Sequence, residues 1–167
     1  NQINDRVVAL NMGVSSKAGN LSFSQNLDTI NHVVKNSKEA SITVPAVSLD
    51  DIIELYQSIP KLIKIDVEGF ETEVINGSEN LLKNDQLQAF IMELNGSGGR
   101  YGFDEDAIHK KIIKQGFKAY HYLPFERKIL PRAQRSQHGN TIYIRNIDLA
   151  KENVRNAPYF ESFGVKF

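Results

Sequence analysis

Three carboxylates, Asp66, Glu68 and Glu71, fall within six residues directly after an apolar run. An acid that ends a buried strand must be paired or hydrated. A cluster of acids at such a point can move a proton, orient a hydroxyl or attract a cation. Glu68 and Glu71 also suit the first turn of a helix, where the dipole favours negative charge. Asp66 has no such explanation, and it is the residue on which a functional reading rests.

The surrounding elements set the geometry. Leu62 to Val67 is short, β-branched and nearly all apolar, as in a strand buried on both faces. Val74 and Ile75 continue a helix from Glu71, and Gly77 can end it in the left-handed conformation. Asp66 and Glu68 therefore fall at the carboxyl edge of a sheet, where open α/β folds bind ligands. Leu87 to Leu94 reads as the next buried strand. Glu93 and Asn95 at its end reach the same edge, either facing an acceptor or capping the loop that follows. Upstream, Arg6 to Met12 reads as a strand ending at Asn11, and Leu21 to Ser24 alternates like an exposed one. A short helix is expected across Ile30, Val33 and Val34. Ile42 to Val44 reads as a strand pushed towards an edge by Pro45. Ser48 and Asp51 form a capping box for a helix over Leu49 to Tyr56, and Ser78 recaps a short helix. Downstream come a helix from Glu105 to Gln115, a strand from Phe117 to Leu123 and a basic loop from Phe125 to Gly139. A strand from Thr141 to Arg145 follows, then a helix capped by Asp148 and an aromatic end. Alternating strands and helices give an α/β fold with a mostly parallel sheet and an antiparallel edge.

Composition narrows the function. Within 167 residues, twenty basic and twenty acidic side chains cancel, so no global field points to nucleic acid or a membrane. The chain lacks cysteine, which excludes disulfides, thiolate catalysis and cysteine-bound zinc. No apolar run is long enough for a membrane-spanning helix, and a cytoplasmic location is expected. The sequence opens at Asn1 and reaches its first methionine at Met12, so upstream residues are expected to be missing.

Gly96 to Gly102 follows a strand and precedes a helix, as a phosphate-binding loop would. Asp104, Glu105 and Asp106 then open that helix and would repel a phosphate. The histidines show no ligand spacing. Asp66, Glu68 and Glu71 alone are too few for a cation site, so no metal is assigned.

The block from Ser48 to Asp51, then Leu62-Ile63-Lys64-Ile65-Asp66-Val67-Glu68-Gly69-Phe70-Glu71, then Val74 to Gly77, resembles the FkbM family of methyltransferases. The stretch from Asn11 to Phe23 and the TIYIRNIDLAKE ending extend the likeness. The resemblance implies a Rossmann-like class I methyltransferase fold using S-adenosylmethionine (SAM), acting on a hydroxyl of a small molecule or saccharide. The family's strand order is 3-2-1-4-5-7-6; its strands 3 to 7 are expected here, while strands 1 and 2, with the glycine-rich SAM loop, are missing. By the same resemblance Asp66 and Glu68 are catalytic candidates, and Asn11 and Asp66 would contact the cofactor. Glu93, Asn95 and Glu71 are expected beside the acceptor. A chain lacking those two strands would leave one sheet edge unpaired, so self-association or a rearranged sheet is expected. The alternative function is an inactive, self-associating fragment that binds no SAM, which leaves enzyme status open.

Overall fold

The computed structural model describes residues 6–25, 31–34 and 40–166. Strands β1 (Gly13–Val14), β2 (Gly19–Ser24) and β3 (Ser41–Val47) form a small sheet with β3 in the middle. Pro45 had suggested an edge. It is tolerated because β1 pairs only with Ala46 and Val47, leaving Pro45 with β2 alone beside it. The strand expected over Arg6 to Met12 is not formed, and Val7, Val8 and Leu10 are exposed. An apolar run becomes a strand only when a neighbour completes its ladder, and none among the described residues does. Ile30 lies outside the described residues. Val33, expected in a helix, instead bridges Phe23 in an extended geometry.

Helix α1 (Leu49–Tyr56) begins as its spacing predicts. The Asp51 N–H donates to the Ser48 hydroxyl at 3.0 Å, and the Ser48 N–H donates to the Asp51 carboxylate at 3.1 Å. Strand β4 (Leu62–Ile65), helices α2 (Glu71–Asn76) and α3 (Glu79–Lys83) and strand β5 (Ala89–Glu93) follow. Ser78 does not cap α3; its hydroxyl donates back to the carbonyls of Val74 and Ile75. The cap comes from α1, where the Asp50 carboxylate accepts the N–H groups of Asn80 and Leu81, each at 2.9 Å. Gly77 is not left-handed either, with φ of −85°. It is needed because a Cβ would lie 2.1 Å from the Ser15 carbonyl oxygen.

A 3-10 turn (Ser97–Tyr101) leads to α4 (Glu105–Lys114), then β6 (Lys118–Leu123), β7 (Lys128–Pro131), β8 (Asn140–Ile144) and α5 (Ile147–Asn156). Asn146, not Asp148, caps α5, accepting the Leu149 N–H at 3.1 Å. A hairpin of β9 (Glu161–Ser162) and β10 (Val165–Lys166) ends the described chain. The main sheet runs β4-β5-β8-β6-β7, and β4 with β5 is its one parallel pair of neighbours among the described residues. The expectation of a mostly parallel sheet is thus corrected. A parallel pair needs a long crossover, here α2 and α3, whereas β6, β7 and β8 follow one another through loops without a helix.

The two faces of this sheet differ. Ile65, Phe90, Met92, Ala119 and Tyr143 join Val74, Ile75, Leu81, Leu82, Ile108 and Ile112 in one continuous core. Each of the larger aliphatic and phenylalanine side chains contributes about 1.5–3 kcal/mol of transfer free energy. On the opposite face, Tyr120, Ile129 and Ile144 are buried beside Ile147, Ala150 and Val154 of α5. That cover is partial. A mainly apolar cavity of about 600 Å³ runs along Leu62, Ala89, Ile91 and Ile142. Strand β4 is therefore not buried on both faces: it is an edge strand, with Leu62 53% exposed. Arg145 ties the helix ends to the sheet, donating to the carbonyls of Leu82, Gln115 and Leu87 at 2.7, 2.8 and 3.2 Å. Its guanidinium stacks 4.3 Å from the Phe117 ring centre.

Candidate active site

Side chains alternate along β4, so Asp66 continues the row of Leu62 and Lys64 on the cavity face. The Lys64 ammonium donates to the Asp66 carboxylate at 2.7 Å, and both side chains stay about half exposed. The last registered pair of the parallel ladder is Ile65 with Met92, and the residues after them are Asp66 and Glu93. Glu93 in turn sits opposite Asn140. The sheet brings Asp66 and Glu93 to neighbouring positions on one rim, as their strand-end locations imply. Asn95 turns to the loop, where its side-chain oxygen accepts the Ser97 N–H at 3.0 Å. Asn11 is exposed two residues before β1, in the other sheet.

After Asp66 the backbone bends sharply. Glu68 has φ of +51° and Gly69 +99°. A Cβ on Gly69 would lie 2.5 Å from the Ser97 carbonyl oxygen, so only glycine lets this turn close on the neighbouring loop. The Glu68 carbonyl accepts a hydrogen bond from the Arg100 guanidinium at 3.1 Å. Phe70, Tyr101 and Phe103 pack as a ring cluster, with Phe70–Tyr101 centroids 5.4 Å apart and Tyr101–Phe103 centroids 5.7 Å apart.

Two enclosed carboxylates hold the shape of this region. Glu71 is 1% exposed; its Oε1 accepts the N–H groups of Val67 at 3.2 Å and Gly69 at 3.3 Å. It braces the turn next to Asp66 and is enclosed there, whereas an acceptor contact had been expected of it. Its Oε2 has no hydrogen-bond partner among the described residues. Burial pushes the Glu71 carboxyl above its ordinary range, with the nearby Glu105 charge adding to the shift against the three backbone N–H groups that oppose it. Glu105 accepts the N–H groups of Gly96 and Gly98 at 3.0 Å and pairs with the Arg135 guanidinium at 3.3 Å. Sequence reasoning placed Glu105 at a helix start and missed this role. The available signal was an acid just after the Asp104 cap, preceded by a run of glycines.

The N–H groups of the glycine loop are directed at acceptors of the chain itself, the Glu105 carboxylate among them. Gly96 and Gly98 donate to Glu105, Ser97 donates to Asn95, and Gly99 donates to the Gly96 carbonyl. Among the described residues, no three His, Asp or Glu side chains converge as a metal site, and no helix is long and apolar enough to cross a membrane. His109 bonds the buried Tyr143 hydroxyl through Nδ1 at 3.0 Å, a structural role. What the site offers chemically is an accessible carboxylate rim, Asp66 with Glu93, above a turn fixed by buried charge. That rim is acidic, and Lys64 offsets part of its charge.

Comparison with known proteins gives this rim a context. The sequence matches the Methyltransferase FkbM domain over residues 2–119, which include the three acids and both strands that position the rim. The chain belongs to the FkbM methyltransferase family. It is similar to the hexuronic acid methyltransferase AglP of Haloferax volcanii, 37% identical over 79 residues. That alignment covers 47% of this chain and spans 33% of the relative's length. No solved structure matches the chain.

Proposed function

We propose that this chain is part of a SAM-dependent O-methyltransferase whose acceptor is a hydroxyl of a small molecule or saccharide. The observation behind this reading is the exposed carboxylate Asp66, in a block shared with a methyltransferase family, beside Glu93 on one sheet edge. The order β4-β5-β8-β6, with β8 antiparallel, supports reading these strands as the family's 4-5-7-6 half. The similarity to a hexuronic acid methyltransferase supports a saccharide acceptor, with a uronic acid as the first compound to try. Lys64 and Arg100, the cations beside the turn, suit an anionic sugar. A cytoplasmic setting belongs to the same proposal.

When bound, SAM supplies an electrophilic methyl group on a sulfonium. Asp66 and Glu93 would face its positive charge, and Asn11 is kept as a contact to its adenine. Asp66 would orient the acceptor hydroxyl and take up its proton, while the methyl group leaves sulfur as it joins oxygen. Lys64 holds the Asp66 carboxylate in position. Glu68 is the second candidate base, while Glu93 and Asn95 flank the acceptor. Glu71 and Glu105 keep the turn and the glycine loop in register, so that alignment supplies much of the rate.

The reading is tested by calorimetric titration with SAM, followed by methyl transfer to a uronic acid glycoside. In a protein that also carries the glycine-rich SAM loop, SAM binding with measurable turnover is expected. Asp66→Asn should lower turnover about 10²- to 10⁴-fold, well beyond any loss of SAM affinity. Unchanged turnover removes Asp66 from the mechanism. Absence of both binding and turnover would favour the second reading, a non-catalytic self-associating chain. The observation in its favour is β4, which pairs with β5 alone among the described residues.

A further inference from the structure

The chain's net charge is zero, yet its carboxyl-terminal side concentrates cations beside exposed aromatic rings. A cleft between the β6–β7 turn and α5 is lined by Arg127, Lys128, Lys151 and Arg155, with Glu126 as its one acid and Tyr159 at its end. Lys128 pairs with Glu126 at 2.9 Å. The Arg127 guanidinium donates to the carbonyls of Val154 and Ala157 and stacks 4.5 Å from the Tyr159 ring centre. That clamp fixes where the chain leaves α5. Tyr159 and Phe160 then stand 67% and 68% exposed, and Phe163 at the tip of the last hairpin is completely exposed.

Phe163 is the informative residue. Ser162 pairs with Val165, so Phe163 and Gly164 form a two-residue turn with φ of +50° and +77°. Such turns favour Asn-Gly, because both central residues must be left-handed. A phenylalanine there is strained and fully exposed among the described residues, which is unfavourable twice over for the isolated chain. The sequence gives up turn stability to hold an aromatic ring out in solvent.

We propose that this edge docks on an anionic lipid surface, with Phe160 and Phe163 entering the interface and Lys151 and Arg155 meeting the headgroups. The arrangement fits a bilayer better than a protein partner. Tyr159, Phe160, Phe163 and Val165 are exposed within seven residues, and the flanking cleft has four cations to one acid. Aromatic rings favour the headgroup level of membranes, and each nearby Lys or Arg adds attraction to anionic lipid. Glu161 within the hairpin opposes this attraction, and Lys166 across the ladder from it offsets that charge.

The test is co-sedimentation of the purified chain with phosphatidylcholine vesicles and with vesicles also containing phosphatidylglycerol. Binding to the anionic vesicles, weak binding to the neutral ones and loss at high salt are expected. Phe163→Asn should restore the favoured turn, so its melting temperature should equal or exceed the parent's while vesicle partitioning falls roughly tenfold or more. Lys151→Gln and Arg155→Gln should each reduce partitioning roughly fivefold. Failure of the parent to bind anionic vesicles, or undiminished binding by Phe163→Asn, overturns the proposal. So does a parent that ignores vesicles but self-associates through this hairpin, with association lost in Phe163→Asn.

Discussion

Glu71 shows how one residue sets the behaviour of its neighbourhood. Its carboxylate is enclosed, braces Val67 and Gly69, and lies near a second buried acid, Glu105. Burial raises its pKa above the ordinary 4.5, so the folded chain binds more protons here than the unfolded chain does. By linkage, stability from this site is greatest below about pH 4.5 and falls as pH rises through the raised value. The Asp51 and Asp106 carboxyls, held low by Ser48 and Arg135, have the opposite slope but are shared by any Glu71 variant. Glu71→Gln should therefore gain stability relative to the parent as pH increases from about 4 to about 7 in urea titrations. A stability difference that stays constant with pH would show that Glu71 does not titrate with folding. At Asp66 the sequence located an acid at a strand end. Lys64, two residues back on the same face, is a partner that the sequence also offers, and the fold joins the two at 2.7 Å.

Between elements, long-range polar contacts decide which ends meet. Asp50 of α1 caps α3, and Arg145 gathers carbonyls from the ends of α3 and α4 and from the approach to β5. A guanidinium with three carbonyl partners and a stacked ring is costly to remove, since hydrogen bonds to charged groups contribute about 1.5–3 kcal/mol each. Arg145→Ala should lower stability by about 3 kcal/mol and the melting temperature by roughly 6–12 °C. Arg145→Lys should recover only part of this, because an ammonium cannot span three acceptors in a plane. A melting temperature within about 2 °C of the parent's would deny Arg145 that role. These partners lie about thirty to sixty residues apart. Helix limits were legible from local capping at Ser48 and Asp104, whereas such distant caps were not.

On the scale of the molecule, one sheet face is closed by α2 to α4 and the other is half covered by α5 beside an apolar cavity. Strand β4 borders that cavity and exposes Leu62. An apolar edge of this kind templates pairing. The chain should accordingly self-associate in sedimentation velocity as concentration rises, and Leu62→Lys should shift it towards monomer. A parent that stays monomeric at high concentration would rule out association through this edge.

The sequence by itself determined the local units: the capped helix α1, the strands β4 and β5 with Asp66 and Glu93 at their ends, and the family to which the acids belong. Each is written in adjacent residues, through side-chain period, capping chemistry and one long motif. Tertiary structure alone decided the rest. It left Arg6 to Met12 without a ladder and enclosed Glu71. It also gathered the cations near Tyr159, although the chain's total charge is zero. Ladder partners, burial and local charge density depend on which distant segments meet, and neither side-chain period nor composition records those meetings.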